Sequence, residues 1–90
     1  MKIKTVEDFQ IALDNGPYTF PGGYPMFFIC HDGGVLSFEA ATQEQEQIKQ
    51  AITDKDLRSE WHIVACEVNW EDTELTCEHT GKRIESAYGE

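Results

Sequence analysis

Basic residues are scarce in this 90-residue chain: seven Lys and Arg stand against seventeen Asp and Glu, a formal net charge of −10. Nucleic-acid binders neutralise phosphates with Lys and Arg, so direct nucleic-acid binding is disfavoured, and so is adsorption to anionic membranes. The longest apolar run, Met26–Cys30, is far too short to span a bilayer. The opening Met1-Lys2-Ile3-Lys4-Thr5 shows no signal-peptide pattern. Cysteine is limited to Cys30, Cys66 and Cys77, an odd and irregularly spaced set. That pattern predicts free thiols in a reducing cytoplasm rather than a disulfide framework. Internal repeats, low-complexity tracts and a glycine-rich phosphate loop are all missing; Gly22-Gly23 and Gly33-Gly34 lack the spacing and the following helix.

What is present predicts one α+β domain over residues 1–90. Aromatic content of 11% supplies side chains that need burial and argues against disorder. Thr5 and Asp8 form a capping pattern before the apolar face of Val6, Phe9 and Leu13, predicting a helix over 6–14. Residues 16–25 hold all three prolines and three aromatics, which predicts an ordered loop. Met26–Cys30 and Val35–Phe38, joined by Asp32-Gly33-Gly34, read as a β-hairpin. Thr42 with Gln45 reads as a capping box opening a second helix over 42–53. Trp61–Asn69 reads as the longest and central strand, with Val64, Cys66 and Val68 on one face and Trp61, Ile63 and Ala65 on the other. Leu75–Cys77 completes a mostly antiparallel four-stranded sheet with two helices, in the order α-β-β-α-β-β.

Three groups of residues invite a chemical reading. Cys77-Glu78-His79-Thr80-Gly81-Lys82 resembles a zinc knuckle whose second ligand position holds Thr80, which is no zinc ligand. A tetrahedral site from Cys30, His31, Cys77 and His79 needs the turn after Cys30 to meet the turn after Cys77; two ordinary β-turns are the simpler expectation, with no metal or cofactor. Cys30 and His31 are the only adjacent nucleophile–base pair, and neighbours on a strand point to opposite faces, so no enzymatic site is expected. The third group is Glu67, Trp70, Glu71, Asp72, Glu74 and Glu78, an aromatic among carboxylates with no basic residue between them. Such a surface complements Arg and Lys on a protein partner. Its alternative is a polar hairpin tip with Trp70 buried. Tyr18, Phe20 and Tyr24 of the proline-rich loop are a second candidate contact surface.

Gly16–Pro25 with Asp32–Phe38, and Asn69–Asp72 with Ile84–Gly89, resemble a group of short acidic proteins carried by bacteriophages, prophages and plasmids. The resemblance covers nearly the whole chain and brings no activity or catalytic residues with it. It implies a bacterial cytoplasm, where small acidic accessory proteins, anti-CRISPR and anti-restriction proteins among them, bind and block a host protein. A structural zinc domain with a degenerate knuckle is the alternative.

Overall fold

A helix starts at Val6 because Thr5 Oγ1 accepts the Asp8 backbone N–H at 3.1 Å while the Asp8 carboxylate accepts the Thr5 N–H at 3.3 Å. This reciprocal cap satisfies two of the helix's otherwise unpaired donors. In the computed structural model, which describes residues 1–88, helix α1 spans Val6–Asn15. It buries Phe9 and Ala12. Strand β1 (Met26–Cys30) and strand β2 (Val35–Leu36) form the expected antiparallel hairpin. Asp32 Oδ1 accepts the Gly34 N–H at 2.8 Å, and Gly33 takes φ +88°, where a Cβ would be strained.

The second helical region differs from the sequence expectation. Helix α2 runs Phe38–Gln43 and helix α3 runs Gln45–Asp54, with a break at Glu44 (φ −108°, ψ 23°). The cap is Ser37, whose hydroxyl accepts the Ala40 N–H at 3.1 Å, so Phe38 opens a helix instead of extending β2. Thr42 lies inside α2 and caps nothing; its carbonyl accepts the Gln45 side-chain amide at 3.1 Å. The break lets Phe38, Ala40 and Ala41 of α2 and Ile48 and Ile52 of α3 all turn inward. A single straight helix with a stripe that thin could not bury both groups.

Strand β3 spans Ile63–Val68, and the three-stranded antiparallel sheet has the order β2-β1-β3. Strand β1 is therefore central and β3 flanks it, a correction to the expected order. The outer side of β3 meets the first residues of the chain: Ile3 N–H donates to the Val64 carbonyl and Cys66 N–H to the Met1 carbonyl, both at 2.9 Å. Ile29 pairs with Ala65 but Cys30 with Ile63, so Val64 is an extra residue in β3. This β-bulge breaks the alternation. Ile63 and Cys66 both face the core, 0% and 1% exposed, while Val64 and Ala65 are only half-buried.

The expected fourth strand, Leu75–Cys77, reduces to one bridge, Thr76 with Arg83. Gly81, at φ +73°, donates to the Cys77 carbonyl at 2.8 Å and closes the loop after that single pair. Glu78 N–H instead reaches the Val35 carbonyl at 2.9 Å, laying this segment against β2. The result is α+β with three helices and three strands. The core centres on Phe28, whose ring lies 5.5 Å from Phe9 and 4.5 Å from Phe38. No helix among the described residues is long and apolar enough to cross a membrane.

Candidate protein-binding surface

Asn69, directly after β3, is 3% exposed and organises the far end of the molecule. Its Nδ2 donates to the carbonyls of Asp72 (3.0 Å), Glu85 (3.1 Å) and Ile84 (3.4 Å), and its Oδ1 accepts the Asp72 N–H at 3.2 Å. Its own carbonyl accepts the Ala87 N–H at 2.8 Å, and the Trp70 carbonyl accepts the Tyr88 N–H at 2.7 Å. The buried Asn69 amide thus holds residues 84–85, and the Asn69 and Trp70 main-chain carbonyls hold Ala87 and Tyr88, so that the segment lies beside Trp70.

That pinning assembles three rings. Trp70 and Tyr88 stack with centroids 6.2 Å apart and planes 13° apart, and Tyr24 packs 4.8 Å from Trp70 and 6.3 Å from Tyr88. Trp70 is 48% exposed and Tyr88 54%, so the rings cover one another and leave their outer sides in solvent. Trp70 is not tucked into the core. Tyr24 arrives from the proline-rich loop, which closes as a small hairpin: Thr19 N–H donates to the Tyr24 carbonyl and Tyr24 N–H to Thr19 Oγ1, both at 2.9 Å. Gly22, at φ +111°, seats the ring; a Cβ there would fall 2.8 Å from Tyr24 Cε2. The Tyr88 hydroxyl pKa is raised by its hydrogen bond with Tyr24, and that of Tyr18 by its hydrogen bond to the Glu85 carboxylate.

The sequence candidates divide accordingly. Trp70 and Tyr24 come together, with Glu71 exposed next to Trp70 in the chain and Tyr18 lining a cleft with Glu85. Phe20 is fully exposed at the tip of the loop. Asp72 has a structural duty, its Oδ1 accepting the Glu74 N–H at 3.0 Å, and Glu74 is exposed. Glu67 and Glu78 lie elsewhere. Glu67 lines a cleft with Lys2, and Glu78 sits so close to Gly34 that any Cβ there would collide with its carboxylate. Tyr88 and Glu85, both part of the surface, were missed. Their sequence signal was weak, a lone tyrosine and glutamate in a polar tail.

Cys30, His31, Cys77 and His79 do not converge. Cys30 and Cys77 are buried, His31 is exposed with its ring 6.1 Å from His62, and His79 packs edge-on to Trp61 at 5.0 Å and contacts Glu44 at 3.4 Å. Among the described residues no group of three or more His, Cys, Asp or Glu side chains is placed to hold a metal. Cys30 and His79 do line a cavity of about 110 Å³ with Glu60, Trp61 and Glu78. Burial, then the charges of Asp32 and Glu78, push the Cys30 thiol up to about 12, so at neutral pH it is a protonated, weak nucleophile. Cys77 behaves oppositely. Burial pushes its thiol up, but hydrogen bonds from the Thr80 hydroxyl and the Ser37 and Thr80 backbones outweigh that and bring it down to about 7. Cys77 itself is 1% exposed. Comparison of the chain with protein-family models, curated proteins and solved structures finds no match.

Proposed function

We propose that this chain is a non-enzymatic binding protein that docks its Trp70–Tyr88–Tyr24 surface onto a basic surface of a protein partner. The observation that carries this reading is the half-exposure of two stacked rings, Trp70 and Tyr88, held in place by a buried hydrogen-bonded amide. Large aromatics on a rigid support lose little entropy on binding and dominate interface energies. Glu71, Glu74 and Glu85 lie on the segments that carry or border the rings, and a chain of net charge −10 attracts a basic partner before contact. With the resemblance to mobile-element proteins, the reading becomes an accessory factor of a bacterial cytoplasm that blocks a nucleic-acid-handling or defence protein of the host.

The test is capture of the partner from phage-infected cells, followed by binding kinetics at two salt concentrations. Glu71→Lys/Glu74→Lys/Glu85→Lys adds two charge units per site, taking −10 to −4. Association should slow strongly at low salt, with the defect shrinking as the screening length falls to about 8–10 Å. Trp70→Ala should accelerate dissociation, weakening affinity by about 30-fold, as loss of an anchoring residue does, with the fold intact. A partner that binds both variants as tightly as the parent chain would refute the assignment.

A further inference from the structure

Basic residues are few, yet three of the seven lie around one cleft. Lys2, Lys4 and Lys55 line an opening of about 690 Å³ between the first residues of the chain, the end of α3 and the outer side of β3. Its floor is apolar: Ile3, Ile52, Val64 and Ala65, with Leu57 at the margin, 54% exposed. The β-bulge explains this floor, because the extra residue keeps Val64 and Ala65 out of the core. No ion-pair or hydrogen-bond partner stands beside the Lys2 and Lys55 ammonium groups among the described residues, although seventeen carboxylates are in the chain. The one carboxylate of the lining, Glu67, lies 3.5 Å from the Met1 amino group.

We propose that this cleft binds a small anionic amphiphile, an apolar chain or ring carrying one carboxylate or phosphate head. The volume falls within the roughly 300–1,000 Å³ of small-ligand sites, the floor offers apolar area, and two unpaired ammonium groups supply the counter-charge. Charge decides the class: on a chain of net charge −10 a cationic ligand would be drawn to the carboxylates elsewhere rather than to a margin lined by three lysines. The site is separate from the Trp70 surface, so either assignment can fail alone.

The experiment is calorimetric titration of the full chain with dodecanoate, dodecyl phosphate and dodecyltrimethylammonium, each below its micelle concentration. The two anionic probes should bind one per chain, and whichever binds tighter identifies the head group. The cationic probe should bind at least about tenfold more weakly. Lys2→Glu/Lys55→Glu should weaken the anionic probes by a similar factor while its urea midpoint stays at that of the parent. Val64→Trp, which fills the floor, should abolish binding of all three. Equal affinity for the cationic probe, indifference to the charge reversal, absence of any binding heat, or preference for an acidic apolar peptide over both anionic probes would overturn the proposal.

Discussion

Replacing Asn69 by Asp changes one NH2 group to an oxygen and leaves volume untouched, which isolates the hydrogen bonds that assemble the aromatic surface. The Asp72 N–H keeps its acceptor. The carbonyls of Asp72, Ile84 and Glu85 lose their shared donor and face a carboxylate at 3.0–3.4 Å instead. Two amide hydrogens serve these three carbonyls, so the lost bonds are worth about 1–3 kcal/mol. An unpaired charge at a site 3% exposed raises the total to about 3–5 kcal/mol at neutral pH. That is a large share of the 5–15 kcal/mol typical of a folded domain. Urea denaturation at about pH 8, with unchanged slope, measures the loss. The emission of Trp70, read in a Trp61→Phe background, reports the local effect and should shift to the red as residues 84–88 come away. The pH dependence supplies a second check. Burial beside carbonyl oxygens raises the folded-state pKa of the new carboxyl, so the folded chain takes up its proton before the unfolded chain does. The deficit relative to the parent should therefore shrink as pH falls through that raised value. A variant with the parent's midpoint and emission, or a deficit that does not change between about pH 8 and pH 4.5, would refute the role given to Asn69.

Further outcomes are expected for β3 and for Cys77. Ile63→Ala should cost about 2–5 kcal/mol and Val64→Ala under about 1 kcal/mol, because the bulge places Ile63 in the core and Val64 in the cleft; equal losses by chemical denaturation would show that β3 alternates regularly. Between about pH 6 and 9 the ultraviolet thiolate signal should report Cys77 alone, since burial pushes Cys30 up to about 12 and Cys66 up to about 11. Cys77, held down to about 7 from an ordinary 9.0, lends stability that is full above the ordinary value and fades as pH falls through about 7. Thr80→Val should move the thiolate signal to higher pH; no movement would show that the Thr80 hydroxyl does not reach the sulfur.

Where neighbours in the chain suffice, the sequence by itself determined the structure. The Thr5–Asp8 cap, the Asp32-Gly33-Gly34 turn and the proline-rich loop each depend on hydrogen bonds or dihedral limits within a few residues, and each was legible without coordinates. Periodicity also identified Ile63 and Cys66 as apolar strand residues, but it assigned them to opposite faces. Only tertiary packing decided that Val64 is bulged, because the register between β1 and β3 is set by both strands and by the chain start laid along β3. Packing likewise broke the second helix at Glu44, since Phe38 and Ile48 had to reach one core. It kept Leu75–Cys77 from becoming a strand, because that segment lies against a β2 of two residues. The candidate surfaces divide the same way. A carboxylate-rich stretch around Trp70 was visible in the sequence, whereas the burial of Asn69, the arrival of Tyr88 beside Trp70 and the placing of Lys2 and Lys55 around one cleft join residues from distant parts of the chain. Pairings of that kind follow from the packed core, which no local pattern encodes.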